Sequence, residues 1–266
     1  MNNLEIYCIT NKILPYLENF TYNLAAVGEG DFPKNYLRCD YGDNIFDKEK
    51  YYSELTFQYW FWKNKLDFRK NNWIGFCQKR RFWIKQSSIN QSINAGNFKD
   101  HFLSVVPDEW KNHDAIICNP INVNKVKKIK LIKRGFKSLI KNPDIFFNED
   151  KQTINLHFDM HHGYGNLSKA IEKMNTEDRD EFKDFVNNSV SYNPHIIFIS
   201  TPQILDRWFK TLFPWLFRCE QIFGFENLKG YDTQRLYAYL AERYLSFWFK
   251  KYTKYLEWPW TFFDIK

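Results

Sequence analysis

The chain has 266 residues, a formal charge of +7, 44% hydrophobic and 26% charged residues, which is enough for one large α/β domain with an ordinary globular balance. No uncharged run approaches the roughly 18 apolar residues of a membrane-spanning helix, and Met1-Asn2-Asn3-Leu4-Glu5 lacks the basic and apolar regions of a secretion signal. The five cysteines (Cys8, Cys39, Cys77, Cys118 and Cys219) are odd in number, widely spaced and mostly within apolar runs, which reads best as buried free thiols in a reducing cytoplasm.

Residues 4–10 read as a first strand, with Thr10, Asn11 and Lys12 at its carboxyl end. Residues 24–27 form a second short strand ended by Gly28 and Gly30, and 31–47 a polar loop whose clearest turn is Gly42-Asp43-Asn44. Residues 48–64 predict a helix: Tyr52, Leu55, Tyr59 and Trp62 recur at helical spacing, and Phe57, Trp60 and Phe61 widen the apolar surface. The apolar strand 72–77 then runs directly into Gln78-Lys79-Arg80-Arg81.

Residues 86–113 are mixed and polar, and 114–118 form another strand, ended by Asn119-Pro120. Residues 125–141 hold eight lysines and arginines, either as a basic amphipathic helix or as a mobile basic loop. Two helices follow within 166–190, the second capped near Thr176 with Glu177 and Asp178 in its first turn. Residues 195–200 read as a buried strand, Thr201-Pro202 opens a helix to about 222 that Pro214 is expected to kink, and 232–252 form the last strong helix before the aromatic tail Trp258-Pro259-Trp260.

Continuous apolar strands alternating with helices predict an α/β fold, a mostly parallel sheet with helices on both faces. Ligands of such sheets bind beyond the carboxyl ends of the strands, where Gln78–Arg81 fall. With no repeat or low-complexity linker, one domain is expected.

Three segments carry a resemblance: Tyr41-Gly42-Asp43-Asn44-Ile45, then Glu54-Leu55-Thr56 with Tyr59-Trp60 and Trp62-Lys63-Asn64, then Gly75 followed by Arg80-Arg81-Phe82. Their order and spacing resemble a bacterial family of capsular and exopolysaccharide glycosyltransferases, formerly filed as a domain of unknown function. That family shows Gly-Asp-Asn-Ile, Glu-Leu-Thr-x-x-Tyr-Trp-x-Trp-Lys-Asn and His-Tyr-Arg-Arg; here Gln78-Lys79 stand where the family has His-Tyr. Weaker likeness extends to residues 6–12, 25–30, 192–200 and 240–249. The resemblance implies a GT-A-like, Rossmann-type nucleotide-binding sheet with a helical C-terminal part, in one glycosyltransferase domain over 1–266. A nucleotide-sugar half would occupy about 1–120 and an acceptor half about 121–266. It implies sugar transfer from a nucleotide diphosphate donor, a UDP-sugar being favoured, to a saccharide or lipid-linked saccharide acceptor.

Many GT-A enzymes place Asp-x-Asp and a divalent metal at the strand end where this chain has Gln-Lys-Arg-Arg. Arginine binds phosphate through a planar fork and lysine as a point charge, so Lys79, Arg80 and Arg81 are expected to do the metal's work without a required cofactor. The alternative is that the arginines form ion pairs within the fold. Thr10, Lys12, Asp43 and Asn44 complete the expected donor site. His161, His162 and Asn193 are candidates for acceptor or sugar contact, and Asp232 and Glu54 for catalysis, although an N-cap role would also suit Asp232 and a helix-dipole role Glu54. Asp159 and His161 are the fallback ligands if Mn or Mg is used.

The competing classes are a nucleic-acid-binding protein, suggested by a pI near 9.0 and the basic run, and a peripheral membrane protein without catalysis. No nucleic-acid motif is present, so nucleic acid is not an expected partner. An anionic membrane surface is, which places the protein in the cytoplasm or at the inner face of the cell membrane.

Overall fold

Burial rises along Asn3–Thr10 (β1) to five consecutive buried residues, as a strand covered on both faces requires. The computed structural model describes residues 3–70 and 72–265. The remaining strands are β2 (Asn23–Ala26), β3 (Leu37–Arg38), β4 (Asn72–Gln78), β5 (Arg81–Trp83), β6 (Ala115–Cys118), β7 (Ile121–Asn122), β8 (Ser191–Tyr192), β9 (Phe198–Ser200), β10 (Tyr255–Trp258) and β11 (Trp260–Phe262).

The chain divides into two compact units. The first comprises Met1–Asn119, His195–Lys210 and Phe249–Lys266, and the second Pro120–Pro194 and Thr211–Trp248. The chain leaves the first unit after Asn119 and returns to it at His195 and again at Phe249.

In the first unit the sheet runs β10-β6-β9-β4-β1-β2-β3. Strands β4, β1, β2 and β3 are mutually parallel, β9 is inserted antiparallel between β4 and β6, and β10 pairs parallel with β6. The fold is thus α/β with a mostly parallel sheet, as expected. Strand β5 turns back on β4 at Gln78↔Arg81 and takes up β11, so the aromatic tail is part of the sheet.

Helix Leu55–Asn64 packs its aromatic rings on one sheet face, Phe61 lying 4.9 Å from Tyr7 and 5.6 Å from Phe76 between ring centroids. The opposite face buries Ile6, Cys8, Cys77, Trp83, Trp110 and Trp258. The alternation of Tyr7 against Ile6 and Cys8 is the strand period of two. Gly75 is required at its place in β4: a Cβ there would sit 2.7 Å from Ile199 Cγ1 and 3.3 Å from Ile6 Cγ1. The single helix predicted over 48–64 is instead Glu49–Tyr52 and Leu55–Asn64, broken at Ser53, whose φ is 52°. All five cysteines are free and buried.

The second unit is mainly helical, with Lys128–Arg134, Phe136–Lys141, Ile154–His162, Asn166–Ile171 and Thr176–Asn188 beside the small ribbon β7–β8. The basic segment is therefore two short helices rather than a loop. Thr153 caps Ile154–His162 by accepting the Leu156 N–H. Helices Pro202–Phe223 and Leu236–Tyr252 each have residues in both units, and Pro214 stays inside the first.

Candidate functional site

Strand β1 has β2 on one side and β4 on the other, so the chain winds in opposite directions from this point. Such a switch point opens a crevice beyond the carboxyl ends of the two central strands. Thr10 ends β1 and is buried; its hydroxyl donates to the Lys12 carbonyl at 2.6 Å and accepts the Lys12 N–H at 3.0 Å. Thr10 therefore shapes the loop that carries Lys12. At the end of β4, the Lys79 N–H bonds to Ile9 O at 3.2 Å and Lys79 Nζ to Asn11 Oδ1. Lys12, Tyr16, Lys79, Arg80 and Asp264 line a cleft of about 550 Å³, with Leu14 and Ile265 supplying apolar wall. Burial, with nearby thiols and Asp264, raises the Tyr16 pKa, so its phenol stays protonated.

Arg80 and Arg81 diverge. Arg80 is exposed at the cleft and pairs with Asp264 at 2.9 Å, while its carbonyl accepts the Phe263 N–H. Arg81 donates from Nε to His195 Nε2 at 2.9 Å and from Nη1 to Gln78 Oε1 at 3.2 Å, and lies outside the cleft lining. Consecutive side chains at a strand start point to opposite faces. The pairing brings in a residue that sequence reasoning passed over. His195 has φ of 65° and sets its ring edge-on to Trp260 at 4.6 Å. Left-handed backbone at a non-glycine residue is uncommon and concentrates at functional sites, but a residue at the head of an apolar run gives no sign of it.

The donor set at the end of β4 does not fit a divalent cation. Hard cations need several carboxylate or carbonyl oxygens, whereas Gln78, Lys79, Arg80 and Arg81 bring three positive charges, and the carboxylate in the cleft, Asp264, is bound to Arg80. Asp159 and His161 are two residues apart on one helix, about 200° around its axis. Asp159 Oδ1 accepts the Gly165 N–H at 2.8 Å, and His161 Nδ1 meets His157 O at 2.8 Å. Among the described residues no three histidine, cysteine, aspartate or glutamate side chains converge as a metal site.

Asp43 and Asn44 form a clasp with the aromatic helix. Asp43 accepts from the Tyr59 hydroxyl at 3.0 Å and faces Lys63 Nζ at 3.9 Å. Asn64 accepts the Asp43 N–H at 3.2 Å and donates to Asp43 O and Trp60 O, each at 2.8 Å. Asn44 closes its own turn through Gly42 O and the Phe46 N–H. The loop motif and the Tyr-Trp-x-Trp-Lys-Asn helix are thus two halves of one hydrogen-bonded unit. Gly42 has φ of +65° and a Cβ there would stand 2.2 Å from Asn64 Oδ1. Gly42→Ala should therefore cost about 2 kcal/mol, from left-handed strain and one or two displaced hydrogen bonds, measured as a lower urea midpoint at unchanged m-value. Glu54, half-buried, precedes this helix and its carbonyl accepts the Gln58 N–H.

The other candidates lie in the second unit. His157 and His161 stack at 4.4 Å, and His162 stacks on Tyr239 at 3.7 Å. Burial, followed by the charge of Arg243, lowers His157 to about 2 and His162 to about 4; burial also lowers His161. All three rings are therefore neutral near pH 7. His162 Nδ1–H donates to Asp232 O at 2.8 Å, and the Asp232 carboxylate is held by Arg134 at 3.1 Å. Arg243 is fully buried, ion-paired with Glu242 and 4.1 Å above the Tyr192 ring; burial lowers its pKa, and Tyr192 with Glu242 more than reverse that. Asn193 is fully buried and bonded to Ser246 through both its N–H and Oδ1, so contact with a sugar would require this segment to open.

The chain is similar to the apo structure of WbbM, a bifunctional glycosyltransferase, with a TM-score of 0.76 and 19% sequence identity. The match covers 99% of this chain and 46% of that one, so the chain spans less than half the length of that protein. With the strand order around β1, this shows an α/β fold of the GT-A-like type. The profile of the family described as Domain of unknown function (DUF4422) matches residues 5–254, and the chain belongs to that family. No curated protein matches it.

Proposed function

We propose that the protein is a glycosyltransferase (EC 2.4) that moves a sugar from a nucleotide diphosphate donor, a UDP-sugar in the first instance, to a saccharide or lipid-linked saccharide acceptor in surface polysaccharide assembly. The observation that carries this reading is the cationic cleft at the switch point, where Lys12, Lys79 and Arg80 gather beyond the carboxyl ends of β1 and β4. Glycosyl transfer expels a diphosphate, so negative charge grows on the leaving group as the bond breaks, and fixed cations favour that transition state over the ground state. Arg80 offers a planar fork and Lys12 and Lys79 offer point charges. Asp264 holds Arg80 in place until phosphate oxygens compete for it. The clasp of Asp43 and Asn44 on the aromatic helix supports the donor end of the fold from outside this cleft. In the acceptor role, Asp232 and Glu54 are assigned to proton transfer, and His161, His162 and Asn193 to the sugar. The likeness to a bifunctional glycosyltransferase supports the same reading.

The test is calorimetry with UDP, GDP and CDP. At least one should bind with a Kd below about 1 mM, and Arg80→Ala should weaken it. Tight RNA binding without affinity for any nucleoside diphosphate would overturn the assignment.

A further inference from the structure

The two basic helices of the second unit, Lys128–Arg134 and Phe136–Lys141, have an inward face and an outward face that are both apolar. Inward, Leu131 joins Ile145, Leu156 and Met160 in a small core, with Leu139 packed against it. Outward, Ile129, Ile132, Phe136 and Ile140 are 68%, 51%, 60% and 68% exposed, and Phe147 beyond them is 81% exposed. Ile129 and Ile132 stand at i, i+3 on the first helix, and Phe136 and Ile140 at i, i+4 on the second, so each helix carries its own exposed apolar stripe. Gly135 ends the first helix, its N–H bonded to Leu131 O, and starts the second, its carbonyl accepting the Leu139 N–H. Both stripes lie in a segment with eight lysines and arginines between Lys125 and Lys141 and no acid. Arg134 is engaged by Asp232, and Lys128 and Lys137 lie over the rings of Phe146 and Tyr164. Lys127, Lys130, Lys133 and Lys141 are exposed in the same segment.

We propose that this face inserts into the interface of an anionic lipid bilayer, the isoleucines and Phe136 entering the acyl boundary while the lysines meet the headgroups. Charge complementarity selects the occupant: a lysine-rich segment that contains no acid, carrying exposed aliphatic stripes, is the pattern of an interfacial helix. A nucleic acid would use aromatic platforms on which bases stack, whereas three of the four stripe residues are isoleucine. No helix among the described residues is long and apolar enough to cross a membrane, so contact is at the surface. The proposal does not rest on the transferase reading, since vesicle binding requires no turnover.

The experiment is co-sedimentation with vesicles of phosphatidylcholine alone and of phosphatidylcholine mixed with phosphatidylglycerol. The protein should pellet with the anionic vesicles, and less so as salt rises. Lys130→Gln and Lys133→Gln should each weaken partitioning about fivefold. Ile129→Ser combined with Ile132→Ser should weaken it at least about tenfold at unchanged charge, with circular dichroism confirming the fold. An independent readout uses Ile140→Cys carrying a polarity-sensitive fluorophore, which the buried native cysteines will not compete for. Its emission should shift to the blue on anionic vesicles. Equal pelleting with neutral vesicles, a serine variant that binds unchanged, a fluorophore that stays in water, or displacement of the vesicles by RNA would each overturn the proposal.

Discussion

Arg80→Ala is expected to lower turnover about 100-fold, the scale of losing one charge contact to a developing oxyanion. The fold should persist, because the Arg80–Asp264 pair is half-exposed, with side chains 44% and 31% accessible, and such pairs contribute at most about 1 kcal/mol. Arg80→Lys should recover part of the rate, since it keeps the charge and loses the fork. Turnover should survive EDTA, because the strand end supplies cations in place of carboxylates. Arg81→Ala is the contrasting variant. It removes the partner of His195 and Gln78 rather than a group of the cleft, so its effect should appear in stability as well as rate. Activity abolished by EDTA and restored by manganese would refute the cationic clamp, as would an Arg80→Ala enzyme with normal kcat.

The parts legible in the sequence are those where local chemistry and tertiary structure agree. Strands β1, β4 and β6 were marked by continuous apolar runs, and the aromatic helix by its spacing, because burial on all sides leaves no polar alternation to confuse the pattern. The alternation of elements pointed to the carboxyl ends of the strands as the ligand side, but not to the strand order that makes β1 a switch point. What escaped depends on long-range pairing. The antiparallel insertion of β9 cannot be read from three buried residues, and β3 is a two-residue strand inside a polar loop. The tail returns to pair β10 with β6 and β11 with β5, which brings Asp264 to Arg80 across a gap of sequence that no motif spans. Ser53 breaks a helix that its neighbours' propensities would continue, and His195 adopts left-handed backbone that only tertiary packing can hold. The Arg-Arg pair was visible as charge, but the opposite directions of its side chains were set by the turn from β4 to β5.

The second unit should lose stability as the solution is acidified from pH 7 to pH 5. His157 and His162 have ordinary values of 6.5 when unfolded and fall to about 2 and about 4 in the fold, chiefly through burial and then through Arg243. The unfolded chain therefore binds more protons across this window, so stability rises with pH and is lost as pH falls below 6.5. Each ring contributes roughly 2 kcal/mol of loss by pH 5, so the pair costs on the order of 3–4 kcal/mol. His161 is lowered too and acts in the same direction. Asp159 is raised by burial and acts oppositely, from its ordinary 3.8 upward. The charges facing the three rings, Arg243, Lys130 and Arg134 against Glu242 and Asp232, leave protonation of the rings unfavourable. Thermal melts should show Tm falling by on the order of 10 °C between pH 7 and pH 5. His157→Gln should remove about half of that slope, since glutamine carries no titrating group and keeps a polar head toward Arg243. A Tm that stays level over the same range, or a slope unchanged in His157→Gln, would mean that these rings are solvated in the folded protein and take up protons as freely as in the unfolded chain.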